Sequence, residues 1–283
     1  MADLAAARQF VYREARLLDR LALDACVGDG SPEAVLLALR AYQNRDGGFG
    51  NALEPDTRTS SSQPLYFELA LEYMDEAGSF DAESVRLACD WLESVLGPEG
   101  GAPILIDTFR DADFAPHWAD NPPTPGINPN GGIAGLLWKA SVRHPVLDRL
   151  DDFCWRSLAA LNGAHDVSEA LAFLEHSPDR RRAEELAESL VRQLPDTRMF
   201  KSDPAASEYG LDALFYARTP RAWAAQWLEP ALIRGALSHL EQAQQDDGGW
   251  PINWTPPGSA AVAEWRGLLT VRAVRVLRAY GRL

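Results

Sequence analysis

Apolar residues recur every three to four positions through most of the chain, the spacing of helices that bury one face. This periodicity predicts helices over about 3–25, 31–43, 62–77, 81–96, 131–142, 146–162, 165–176, 178–193, 207–217, 228–245 and 260–281. Several carry start signals. Ser31-Pro32-Glu33 supplies an N-cap, a proline at the first helical position and an acid in the first turn. Asp81-Ala82-Glu83 and Ser177-Pro178-Asp179 make similar beginnings. No segment alternates polar and apolar positions over the length of a strand, so the chain reads as all-α. Short turns at Gly28-Asp29-Gly30 and Gly78-Ser79 alternate with long Gly/Pro/aromatic connections at about 44–61, 97–130, 194–206 and 246–259. With helices alternating between an outer and an inner ring, every long connection runs from an outer helix to an inner one. Those connections then gather on one face, where long loops commonly carry function.

One internal repeat narrows the architecture. Gln43-Asn44-Arg45-Asp46-Gly47-Gly48-Phe49 matches Gln244-Gln245-Asp246-Asp247-Gly248-Gly249-Trp250 in order and spacing, and Glu99-Gly100-Gly101 reads as a degraded third copy. The glutamine is expected to cap a helix end and reach neighbouring backbone. The glycines supply the positive-φ turn, and the aromatic ring is expected to stack between adjacent outer helices. On this reading Asp46 and Asp247 are struts rather than catalytic acids. The pattern Q-x-x-D-G-G-[FW] resembles the QW motif of squalene and oxidosqualene cyclases, shared more loosely by protein prenyltransferase β subunits. The segments DGGFGNALEPD, NPNGGIAGLLWK, DGGWPINW and EWRGLLTVRAVRVLRAYGR also resemble a group of bacterial proteins described as prenyltransferase- or cyclase-like. The resemblance implies one α/α toroid domain over 1–283, with roughly 11–12 helices in two rings around a central cavity.

Composition then removes whole classes of partner. With a net charge of -14, the chain lacks the basic face of a nucleic-acid binder and is repelled by anionic lipid. Charged residues interrupt the N-terminal segment MADLAAARQFVYREARLLDRLALDA, so neither a signal peptide nor a membrane span is expected. Cys26, Cys89 and Cys154 lie far apart inside apolar helical patterns, as reduced core thiols would. A cytoplasmic location follows as an expectation; oligomeric state is not legible.

The chemistry of the resembled families is only partly matched. Class II cyclases protonate an alkene with an acid from D-x-D-D, and class I enzymes hold Mg²⁺-diphosphate with D-D-x-x-D; neither motif occurs. Asp148-Arg149-Leu150-Asp151-Asp152 has the wrong spacing and reads as a solvated face. Asp152-x-Cys154, with His165 or His239, has the spacing of a prenyltransferase zinc site but sits mid-helix, so no metal or other cofactor is expected. The remaining candidates lie in the long loops and at the starts of inner helices. Glu54, Asp56 and Glu264 are the candidate acids. Two acids beside Arg58 push each other's pKa values apart, although a helix-end acid cluster would look the same. Asp107, Asp111, Asp113, His117 and Trp118 crowd the longest loop, as a lid or as a surface wrap. Asp166-Val167-Ser168-Glu169 and Glu208-Tyr209 are expected to add polar groups to the same rim. Phe49, Trp118, Trp254 and Trp265 supply aromatic faces for a carbocation, with Arg58, Asp113, His117 and Tyr209 completing a substrate-binding set. Three readings stay open. One is an isoprenoid cyclase-like enzyme using acid-initiated carbocation chemistry on an apolar small molecule. The second is a carbohydrate-active enzyme using Glu54 and Glu264 as its carboxylate pair. The third is a non-catalytic module that binds a ligand or peptide.

Overall fold

The computed structural model describes residues 2–121 and 123–283. Twelve α-helices form among them, and no strand: α1 (Leu4–Glu14), α2 (Leu17–Val27), α3 (Pro32–Leu39), α4 (Pro64–Ala77), α5 (Ala82–Val95), α6 (Ile127–Lys139), α7 (Pro145–Ser157), α8 (Ala164–His176), α9 (Arg180–Gln193), α10 (Ala213–Tyr216), α11 (Pro230–Gln242) and α12 (Ser259–Ala279). Even-numbered helices pack on one another, α2 on α4, α4 on α6, α6 on α8 and α12 back on α2. Odd-numbered helices lie outside them, and α1 packs against α12, so the last hairpin closes on the first. This is an α/α toroid. The four longest connections all run from an odd helix to an even one, which brings them to the N-terminal ends of the inner helices.

The repeated glycine turns tie the outer ring together. Gln43 Nε2 donates to Gly47 O and to Ser84 O in the first turn of α5, both at 2.8 Å. Gln244 Nε2 likewise donates to Gly248 O and to Asp3 O, the N-cap of α1, both at 2.9 Å. Gly47, Gly100 and Gly248 share φ values of +93°, +91° and +94°, a region where a side chain is strained. The glycine after each turn lies flat on an aromatic ring of the neighbouring outer helix: Gly48 on Trp91, Gly101 on Phe153 and Gly249 on Phe10. The degraded third copy is therefore a structural equivalent of the other two, with Ala102 in the aromatic position. Phe49 is fully buried and stacks on Phe67 of α4, with ring centroids 6.2 Å apart. Trp250 donates from Nε1 to Leu240 O. Burial of each such ring contributes about 1.5–3 kcal/mol.

Three elements depart from the periodicity. The helix expected over 3–25 is two, because Ala15 and Arg16 are extended. The corner is held from inside: Arg16 donates to Asp19 Oδ2 (2.8 Å), Leu53 O (2.7 Å) and Tyr73 OH (2.9 Å). The helix expected over 207–217 shrinks to Ala213–Tyr216. Ahead of it, backbone bonds Lys201 N to Leu211 O and Leu211 N to Met199 O hold the chain extended, and Asp212 caps the short helix. Helix α6 starts four residues earlier than expected, across non-helical backbone at Asn128.

Candidate functional site

The acid turn Glu54-Pro55-Asp56-Thr57-Arg58 sits where the α3–α4 connection meets the long α5–α6 connection. Main-chain bonds lock the two together: Arg58 N donates to Asp113 O (2.8 Å) and Ala115 N to Asp56 O (2.7 Å). The long connection is thus pinned against the acid turn through backbone, while the Asp113 side chain itself stays exposed. Tyr66 of α4 adds a brace, donating from its hydroxyl to Thr57 O at 2.8 Å and touching Thr57 Oγ1.

Asp56 is the centre of the cluster, with 3% of its surface exposed. Trp254 Nε1 donates to both of its oxygens (2.9 and 3.2 Å), and Trp265 Nε1 donates to Oδ1 (2.8 Å). His117 Nε2 lies 3.5 Å from Oδ2. The two indoles meet edge to face with centroids 5.0 Å apart, and Tyr209 packs its edge against Trp254 at 5.8 Å. Tyr209 in turn bonds and stacks with His165 in the first turn of α8. Burial pushes the Asp56 carboxyl above its ordinary pKa, while the indole N–H groups and His117 pull it back. Glu54 is driven well above the carboxylate range, first by burial and then by Asp56, and its Oε2 accepts the Asp56 N–H at 3.1 Å. Burial lowers the pKa of His117 against the opposing pull of Asp56.

The cluster therefore joins Asp56, Glu54, His117, Trp254, Trp265 and Tyr209, drawn from four separate connections and α12. Glu264 does not face these acids as a free carboxyl: Arg58 grips it with both terminal nitrogens, the second at 3.1 Å. Glu264 and Trp265 lie in the second turn of α12, which begins at Ser259. Phe49 is core, lining neither of the two cavities described below. Trp118 packs tilted against His117 at 4.9 Å, and its indole N–H has no partner among the described residues.

Sequence reasoning missed what lies deeper. A cavity of about 290 Å³ occupies the ring interior below the aromatic cluster, lined by Glu68 and Glu72 of α4, Gly132 and Leu136 of α6, Glu169 and Ala172 of α8, and Phe215. Its wall is charged as well as aromatic. Glu169, expected at the rim, sits one helical turn below His165 on the same face of α8. The overlooked signal is the spacing Glu68, Glu72, Glu76, which lines up three acids on one face of a helix whose one other charged residue is Asp75. A second, open cleft of about 680 Å³ lies outside, between Asn44, Ser62, Trp91 and Thr108. No helix among the described residues is long and apolar enough to cross a membrane.

No model of a known protein family and no curated relative matches the sequence. Two solved structures share the fold over nearly the whole length. A protein from Actinoplanes is 15% identical, with 98% of this chain and 99% of that one covered at a TM-score of 0.59. The type II terpene cyclase MstE from Scytonema is 12% identical, with 99% and 96% covered at a TM-score of 0.55. That cyclase carries an aspartate-to-asparagine substitution and holds its substrate, geranylgeranyl dihydroxybenzoate. At these identities the likeness is one of fold, and the toroid it describes is terpene cyclase-like.

Proposed function

We propose that the chain is a terpene cyclase-like enzyme in which Asp56 starts carbocation chemistry by protonating an alkene of an apolar, isoprenoid-type substrate. The observation that carries this reading is the Asp56 carboxyl, buried and held by two indole N–H groups beside a histidine. A carboxyl that protonates so weak a base needs to keep its proton at rest and have its anion stabilised in the transition state. Burial does the first. Trp254 and Trp265 do the second, as fixed donors aimed at oxygens where charge develops, with His117 Nε2 3.5 Å from Oδ2. After transfer, half-exposed His117 connects the buried carboxylate to solvent, from which a new proton is drawn. The indole faces and Tyr209 attract the cation through their ring quadrupoles. Glu54-Pro55-Asp56-Thr57 keeps carboxylates at the first and third places of D-x-D-D, with Glu for the first Asp and Thr for the last. The fold shared with a terpene cyclase supports the same reading.

Here Arg58 and Glu264 are assigned to holding the acid turn on α12. A carbohydrate-active pair made of Glu54 and Glu264 is disfavoured, because Glu264 is engaged by Arg58 and Glu54 by the Asp56 backbone. The test is product analysis by mass spectrometry after incubation with squalene and with geranyl, farnesyl and geranylgeranyl diphosphates, with and without Mg²⁺. A cyclised product that is lost in Asp56→Asn and retained in Glu264→Gln supports the assignment. Turnover that survives Asp56→Asn refutes it, and no turnover of any of these substrates removes its simplest form.

A further inference from the structure

The two copies of the glycine turn are built alike, yet only one is completed by an arginine of this chain. In the copy at 244–250, Arg266 of α12 closes the turn. Its guanidinium grips Asp247, with Nη1 on Oδ2 and Nη2 on Oδ1, both at 2.8 Å. Nη2 also donates to Gln245 Oε1 at 2.6 Å, and Nε to Trp250 O at 3.2 Å. The same group lies over Phe10, 4.5 Å from the ring centroid, and Phe10 is the ring on which Gly249 rests. A carboxylate, an amide oxygen and an aromatic face thus form a three-sided seat for a planar cation.

The copy at 43–49 keeps every part of that seat. Asp46 stands for Asp247, Asn44 for Gln245 and Trp91 for Phe10. The backbone matches too: Asn44 N donates to Gly48 O as Gln245 N does to Gly249 O, at 2.8 and 2.9 Å. No arginine of the described residues reaches this carboxylate. Asp46 Oδ1 accepts the Gly48 N–H at 3.0 Å and the Ser62 hydroxyl at 2.8 Å, while Oδ2 has no partner among the described residues. Asn44, Asp46 and Trp91, the three counterparts of the groups that hold Arg266, instead line the open cleft of about 680 Å³. An indole is a stronger surface for a cation than a phenyl ring. Arg45, exposed in the same cleft, makes no ion pair among the described residues. The cleft therefore displays an acid and a base side by side, each without an oppositely charged partner.

We propose that this cleft binds an arginine side chain presented by a partner protein, its guanidinium set on Asp46, Asn44 and Trp91 as Arg266 is set on Asp247, Gln245 and Phe10. Ser62 already bonds Asp46 Oδ1, so the incoming fork takes Oδ2 with one nitrogen and Asn44 Oδ1 with the other. Asn44 Oδ1 has a lone pair to spare, since among the described residues it accepts from Asn51 Nδ2 alone, at 3.2 Å. Arg45 repels a lone guanidinium. An acid next to the partner's arginine pairs with Arg45 and turns that repulsion into attraction. The partner segment is accordingly an exposed loop with arginine beside aspartate or glutamate. The cleft has the volume of a ligand pocket, and the net charge of -14 favours a partner that is basic overall.

NMR titration of the full chain with the peptide acetyl-Gly-Arg-Asp-Gly-amide tests this. The signal followed is the Trp91 indole N–H, assigned from its loss in Trp91→Phe. A saturable shift is expected, with a dissociation constant of about 1–10 mM for so short a peptide. Citrulline in place of the arginine keeps the shape and removes the charge, and should weaken binding at least about fivefold. Asp46→Asn retains an Oδ1 acceptor for Gly48 and should weaken the arginine peptide at least about threefold. Asp247→Asn alters the copy that Arg266 already fills and should leave binding unchanged, with circular dichroism confirming that each variant folds. No saturable shift up to about 30 mM peptide overturns the proposal. So does equal binding of the citrulline peptide, or binding that Asp46→Asn leaves unchanged or weakens no more than Asp247→Asn does. None of these outcomes depends on whether Asp56 is catalytic.

Discussion

Trp265→Phe removes one N–H from the Asp56 carboxylate while keeping an aromatic ring on α12. The lost bond is 2.8 Å long and donates to an ionisable, buried oxygen. Hydrogen bonds to charged groups contribute about 1.5–3 kcal/mol. At 1.36 kcal/mol per pKa unit, the Asp56 pKa should rise by about 1–2 units. Its folded-state value already lies above the unfolded one, so the native state holds the proton more tightly than the unfolded state. Stability linked to Asp56 is therefore fully present below the unfolded pKa and lost as pH rises through the folded one. In the variant this loss extends to higher pH, and above the folded pKa it is deeper by about 1.5–3 kcal/mol. The smaller ring also costs packing energy, but that cost does not vary with pH. Urea unfolding at several pH values separates the two, and carbon-13 NMR of labelled aspartate reads the titration directly. In an Asp56→Asn background the pH-dependent part should vanish, because the two residues then no longer couple. An unmoved Asp56 titration, or an equal pH-dependent loss in the Asp56→Asn background, would refute the role given to the indoles.

Other outcomes follow from the same geometry. Glu169, raised from 4.5 to about 7, makes the wild type lose stability as pH climbs through that window. Glu169→Gln should flatten the loss and be the more stable protein at pH 8 by up to about 3 kcal/mol, a 2.5-unit shift at 1.36 kcal/mol each; parallel pH profiles would contradict it. Gly47→Ala meets φ of +93° and places Cβ 2.5 Å from Leu87 O, so thermal unfolding should show a loss of at least about 2 kcal/mol. Gly78→Ala, with open space at φ of +76°, should lose only about 1 kcal/mol. Arg58→Ala breaks a partly exposed pair with Glu264 and should cost about 1 kcal/mol or less at physiological salt. The wild-type advantage should shrink further as salt is added, and a salt-independent loss above 2 kcal/mol would indicate a different role for Arg58.

The helical periodicity, the start signals at Ser31 and Asp81 and the two Q-x-x-D-G-G-[FW] copies were legible without coordinates. Each is a local property: a spacing, a cap, or a turn that only glycine adopts without strain. Asp56, Trp254 and Trp265 were legible as residue types in the right connections, since long loops entering one ring of helices gather at one end. Their meeting was not legible. Asp56 lies 198 residues from Trp254 and 209 from Trp265, and ring closure of α12 on α1 and α2 joins them. The same closure turned Glu264 from a candidate acid into the partner of Arg58. The α1–α2 corner escaped notice because its cause, Arg16 bonded to Asp19, Leu53 and Tyr73, is tertiary and leaves no glycine or proline behind. Glu68 and Glu169 belong with these. Taken alone, each is an acid on an amphipathic helix. Only the packing of α4 and α8 across Gly132 brings the two carboxyls together inside the ring.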